Sequence, residues 1–219
     1  TSNDQMSLFG GDDTPSESTV SLSSRNSIAN SDHFYQMVET LGEARQLAFL
    51  LAEKSSVAFD TETTSLEVLD AEVVGMSFSY AAGKAYYVHV PQERNKAMEW
   101  IHAFKPFWES EETEKIGQNI KYDISVLLNY DVQIKGPLFD TMIAHYLIQP
   151  DMRHNMDILA ETYLNYETIS IETLLGKKGK NQKNMRDIAP KEVLNYAAED
   201  ADITFQLKGV FEPKLVETR

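Results

Sequence analysis

The 219-residue chain carries 20 basic and 34 acidic side chains, a formal net charge of −14, which disfavours generic electrostatic binding to a phosphate backbone because such binding depends on neutralised phosphates. Without a cysteine it can form no disulfide, thiolate metal site or cysteine nucleophile. Its 42% hydrophobic residues supply a core, but the longest wholly apolar run, 47–52, is far below the ~20 residues of a membrane span. The opening Thr1-Ser2-Asn3-Asp4-Gln5 lacks the basic and apolar regions of a signal peptide, so a soluble, cytoplasmic protein is expected.

Residues 1–33 hold nine serines and a net charge of −4, with hardly any apolar periodicity, which predicts a disordered acidic linker and leaves −10 on the remainder. From Phe34 the pattern becomes regular. A short strand over 34–38 precedes a helix with Leu41, Ala44, Leu47, Ala48 and Leu51 on one face. Strands follow over 57–62, 73–80 and 85–90, the last two joined by Ala81-Ala82-Gly83-Lys84 as a tight hairpin turn. Beyond Pro91 the pattern predicts a helix over 96–107, a short strand over 115–117, and helices over 119–129, 140–148 and 157–163. A long last helix starts near Pro190, a residue suited to a first helical turn. A mixed β-sheet flanked by helices makes the expected class α/β.

Three fragments carry chemistry. Strand alternation puts Asp60 and Glu62 on one face and Phe59 and Thr61 on the other, so two like charges sit side by side, either at an exposed strand end running into a loop or, if buried, in need of a cation or protons. Asp123 follows Gln118-Asn119 in the first turns of a helix, where the helix dipole favours a carboxylate. Four residues separate Tyr196 from Asp200, placing phenol and carboxylate on one helix face about 6 Å apart along the axis. Alanines at 197, 198 and 201 allow another layer to approach closely, while Glu199 and Asp202 point elsewhere and are expected in solvent.

Taken in order, Asp-x-Glu, Asn-x-x-x-Asp and Tyr-x-x-x-Asp resemble the exonuclease motifs of the DEDD superfamily, tyrosine subclass, which implies a ribonuclease H-like fold. The stretches 60–66, 117–123, 139–142, 156–160, 179–182 and 196–202 are similar to the 3′ to 5′ proofreading domain of bacterial family A DNA polymerases, over about 34–216. That resemblance implies two divalent cations, Mg2+ with Mn2+ as a substitute, held by Asp60, Glu62, Asp123 and Asp200 about 3.5–4 Å apart. It also implies that Tyr196 orients the attacking water, its ordinary pKa of about 10 making it a poor base. Release of a nucleoside 5′-monophosphate from single-stranded or frayed DNA 3′ ends follows from the same family pattern.

The resemblance also implies substrate contacts. Leu66 and Tyr122 stand where the family wedges or stacks against terminal bases, and Gln118, Asn119 and Arg153 where it touches the strand; each also reads as an ordinary packing, capping or surface residue. Ile171 departs from the pattern, which often has an aromatic there. Lys177, Lys178, Lys180, Lys183 and Arg186 form the one dense basic stretch, a solvated face or a place for phosphate contacts. Gln5-Met6-Ser7-Leu8-Phe9 is similar to peptides that bind the sliding clamp, with Gln5 as polar anchor and Leu8 and Phe9 as the apolar contacts. The histidines at 33, 89, 102, 145 and 154 lack zinc spacing. Residues 217–219 are read as the start of a connection to a polymerase region, the rest of the parent chain being the expected partner. A ribonuclease D-like RNA exonuclease and a catalytically silent nucleic-acid-binding domain stay open as alternatives.

Overall fold

The sheet and helices follow from the pattern just read, in a computed structural model that describes residues 25–217. The chain runs β1 (Phe34–Val38), α1 (Leu41–Ala52), β2 (Ser56–Thr63), β3 (Val73–Ala81), β4 (Lys84–His89), α2 (Arg94–His102), α3 (Lys105–Trp108) and β5 (Glu114–Gly117). It continues through α4 (Ile120–Leu128), β6 (Leu138–Asp140), α5 (Thr141–Ile148), α6 (Met156–Leu164), α7 (Ile171–Leu175), a 3-10 turn (Met185–Asp187) and α8 (Pro190–Glu217). The Gln5–Phe9 peptide and its expected clamp contact lie outside the described residues, in which no helix is long and apolar enough to cross a membrane.

One mixed sheet has the strand order β1-β4-β3-β2-β5-β6. The antiparallel hairpins β2–β3 and β3–β4 form its middle, while β1, β5 and β6 pair in parallel. Gly83, at φ +73°, closes the β3–β4 turn in a conformation that a side chain would strain. Against one sheet face pack α1 to α4 over an aromatic cluster. Phe78 stacks on Phe104 at 4.7 Å, and Phe59 meets Trp108 edge-on at 5.1 Å. Each such pair adds about 0.5–1.5 kcal/mol beyond its buried area. Because Phe59 belongs to that cluster, the neighbouring Asp60 is carried by a strand fixed from behind.

Across the other face runs α8, touching β1 through β5. The approach is close because both surfaces are small: Ser77 and Ser79 on β3, Ala197, Ala198 and Ala201 on α8, all fully buried. Gly75 belongs to the same surface, where an added Cβ would come within 2.4 Å of the Tyr87 ring.

Several expectations need correction. The helix expected over 96–107 is two, α2 and α3, because Pro106 has no N–H to donate to the preceding turn and instead starts a new one. The expected helix over 140–148 is preceded by a three-residue strand, β6, whose parallel pairing with β5 leaves no alternating signature in so short a run. The basic stretch is preceded by the short helix α7. Glu199 and Asp202 are buried rather than solvated. Glu199 accepts from Tyr166 (2.8 Å) and from the Ile169 N–H (2.6 Å), and Asp202 from Tyr35 (2.9 Å) and the Gly83 N–H (2.9 Å), so both fasten α8 to its surroundings. The end of the expected linker is also tied down, with Asn26 bridging to Tyr166 and Arg25 pairing with Glu161.

Candidate active site

Strand β2, the first turn of α4 and the middle of α8 converge on a cleft of about 470 Å³. Asp60 and Glu62 enter it from β2, facing α8. The register between β2 and β3 shifts between Glu62 and Thr63, a bulge of the kind that re-aims side chains beside functional sites. Asp200 completes a trio in which one carboxylate oxygen from each residue lies within 4.8 Å of the other two. Glu62 Oε1 and Asp200 Oδ1 are buried without a hydrogen-bond partner. Two orphaned acceptors among crowded like charges are costly by themselves and well suited to a cation.

Asp123 lines the same cleft but stands outside the trio. It belongs to the opposite layer and reaches round the end of β2, where its Oδ1 accepts from the Thr61 backbone N–H (3.0 Å) and hydroxyl (2.6 Å). Thr61 thus clamps the fourth carboxylate to the strand that bears the first two. Burial, then the charges of neighbouring carboxylates, holds Glu62, Asp123 and Asp200 well above the ordinary carboxylate range. Asp60 is pushed up to about 6, burial outweighing the Thr61 backbone hydrogen bond that lowers it. Tyr196 lines the cleft together with Asp200. Burial first, then Asp200, Glu62 and Asp60, drive its phenol upward, so it stays a hydrogen-bond donor.

One residue quoted only as part of a motif turns out to position the site. Asp140 accepts from the Asn119 and Ile120 N–H groups at 3.2 and 3.0 Å, and from those of Met142 and Ile143 at 2.9 and 3.2 Å. It therefore caps α4 and α5 together and fixes the turn that delivers Asp123. An N-cap is worth about 1 kcal/mol, so Asp140→Ala is expected to cost about 2 kcal/mol in urea unfolding. A loss below half that would mean that water replaces both caps. The aspartate before a helix is a legible cap; its second helix is not, since nothing in the sequence reports that β6 brings it beside α4.

The expected substrate residues divide. Leu66, 88% exposed, lines the cleft, as do Gln118, Asn119, Tyr122 and Ile171. Tyr122 is held by Thr63 and the Ser65 carbonyl, and Gln118 donates to the His154 carbonyl. Asn119 sits at φ +63° as the residue before α4. Arg153, Lys177, Lys178 and Lys180 are exposed and are not among the lining residues, whereas Lys183, Asn184 and Met185 are.

The sequence pattern of the 3′-5′ exonuclease family matches residues 35–216. The chain is 34% identical over 219 residues to DNA polymerase I of Borreliella burgdorferi, covering 99% of this chain and 23% of that one. To DNA polymerase I of Pseudomonas aeruginosa it is 39% identical over 175 residues, covering 75% and 19%. It thus spans about a fifth of the length of these curated relatives. Among solved structures, Escherichia coli RNase D, an exoribonuclease involved in structured RNA processing, aligns with a TM-score of 0.66 at 15% identity, over 84% of this chain and 46% of that one. At that identity the likeness speaks for the fold alone, which is ribonuclease H-like.

Proposed function

The chain belongs to the 3′-5′ exonuclease family of DNA polymerase I-like proteins, and from that membership we propose that it removes nucleotides from DNA 3′ ends by hydrolysis assisted by two divalent cations. The observation that carries the reading is the Asp60–Glu62–Asp200 trio with its two orphaned oxygens. An all-oxygen donor set suits Mg2+ or Mn2+. Cations bound there would polarise the phosphate and lower the pKa of water.

Asp60, Glu62 and Asp200 would hold the cations, with Asp123, fixed by Thr61, as the fourth carboxylate of the cleft. Tyr196 keeps its proton and donates, orienting the water rather than deprotonating it. The water oxygen joins phosphorus, the bond to the preceding 3′ oxygen breaks, and that oxygen takes up a proton, leaving a nucleoside 5′-monophosphate. Leu66 and Tyr122 flank the terminal base, and Gln118 and Asn119 approach the strand. The setting is a cytoplasmic polymerase chain whose other parts deliver the frayed end.

The test is degradation of 3′-labelled single-stranded DNA and RNA with Mg2+, Mn2+ or chelator. Expected are stepwise 5′-monophosphates from DNA, and none in chelator. Cleavage that persists in chelator removes the metal-assisted mechanism, and faster loss of RNA than of DNA turns the substrate to RNA.

A further inference from the structure

At the ends of β3 and β4 lies a half-buried cationic group that the proposed chemistry does not use. Arg186, in the 3-10 turn that leads from the basic loop to α8, donates from Nη1 to the Val90 carbonyl and from Nη2 to the Val73 carbonyl, both at 2.7 Å. These carbonyls belong to the start of β3 and the residue after β4, beside the bulge that aims Glu62. Met185, its neighbour, is buried with Val74, Tyr87, Ile188 and Val193, and it also lines the cleft. Asn184 donates to the Thr64 carbonyl at 2.8 Å. On the far side, the Lys183 N–H closes onto the Leu175 carbonyl at 2.9 Å, so that 176–182 form a clasped loop carrying Lys177, Lys178 and Lys180. A loop rich in glycine and lysine has no apolar anchor of its own. Its place beside the cleft is set by the residues at its base, and among these the guanidinium makes two part-buried hydrogen bonds to backbone carbonyls at the sheet's end in a fixed fork.

We infer that Arg186 is a positioning residue for strand binding: it pins the base of the basic loop to the ends of β3 and β4 and so keeps the loop lysines beside the cleft. The inference rests on the nuclease reading above, because it concerns how that same site holds a nucleic acid strand. The physical logic is entropic. A loop held at its base meets the phosphates already placed, whereas a loosened one is ordered at the strand's expense. Arginine meets both carbonyls from two separate nitrogens of a rigid fork, whereas lysine would have to reach them from a single nitrogen on a flexible stem.

The test is steady-state digestion of single-stranded DNA by the full chain in Mg2+, comparing the wild type, Arg186→Gln, Arg186→Lys, a Lys177→Ala/Lys178→Ala/Lys180→Ala triple variant, and that triple combined with Arg186→Gln. Expected is a rise in KM of about tenfold for Arg186→Gln with kcat within about threefold, and a smaller rise for Arg186→Lys. The triple variant raises KM alone, and the combination is no worse than Arg186→Gln by itself, because the lysines of an unpinned loop no longer contribute. Additive losses in the combination, a fall in kcat at unchanged KM, or a wild-type KM in Arg186→Gln would each overturn the inference. If Arg186→Gln melts below the assay temperature, Arg186→Lys and its combination with the triple variant carry the same comparison. A wild type that degrades no DNA in any metal defeats the nuclease reading instead, and is distinguished by that control.

Discussion

Asp60→Asn lowers the rate of DNA degradation by about 10³-fold or more, the scale on which removal of a preorganised electrostatic stabiliser acts, while the protein stays folded. Three features set that size. Asp60 shares the trio with Glu62 and Asp200, so its loss removes charge from the centre of the cation site. Its strand is held from behind by the aromatic cluster, so Glu62, on the same strand, cannot move in to compensate. Asparagine also keeps the shape but carries no charge. A graded companion sharpens the prediction: Thr61→Val keeps the backbone N–H to Asp123 but deletes the hydroxyl bond. It is expected to cost about 10–100-fold, as is usual for a residue that orients a ligand without being one. Rates measured at saturating Mg2+ on labelled DNA decide it. Undiminished activity in Asp60→Asn rejects the trio as the catalytic centre, and a Thr61→Val loss as large as that of Asp60→Asn rejects the distinction between holding a cation and holding Asp123.

The carboxylates and the sheet were legible because they rest on local rules. Strand alternation alone places Asp60 beside Glu62, and a four-residue helical step places Tyr196 beside Asp200. Runs such as Val57-Ala58-Phe59 and Val73 onward announce strands whatever their partners. What was not legible depends on contacts distant in sequence. Glu199 and Asp202 read as solvent-facing because the helix pattern says nothing of Tyr166 or of the Gly83 turn, which reach them across 33 and 119 residues. The double cap at Asp140 and the clamp of Thr61 on Asp123 likewise arise only when β6 and α4 meet the sheet. Exposed lysines carry no positional signal at all. The basic stretch marked a loop, but that its cleft-facing members are Lys183 and Asn184 rather than Lys177 and Lys178 follows from the turn at Met185.

The second large effect concerns stability, and it has opposite signs with and without cations. In the metal-free fold Asp60 titrates at about 6 against an ordinary 3.8, and Glu62, Asp123 and Asp200 are raised well above their ordinary values, chiefly by burial. A carboxyl whose folded pKa lies above its unfolded one favours the fold while protonated. That contribution is complete below about pH 4, and it is lost as pH rises through about 6 for Asp60 and beyond for the others. About one unit of the Asp60 shift, roughly 1.4 kcal/mol, is lost between pH 5 and pH 8, so Tm in chelator is expected to fall by at least about 3–6 °C over that range, and further with the other three carboxyls. His89 and His145, lowered by burial, work in the opposite direction near pH 6. The comparison with Asp60→Asn therefore isolates the carboxylate: in chelator the variant should match the wild type near pH 4 and melt several degrees higher at pH 8. Cations reverse the ranking, because they bind the ionised carboxylates of the native state alone, and a ligand at 100 times its Kd adds about 2.7 kcal/mol. Saturating Mg2+ at pH 8 should thus raise the wild-type Tm by about 5–10 °C and the variant by much less. Melting curves in chelator and in Mg2+ at pH 5 and 8 decide the matter, and a wild type more stable in chelator at pH 8 than Asp60→Asn would contradict the cation site at its electrostatic root.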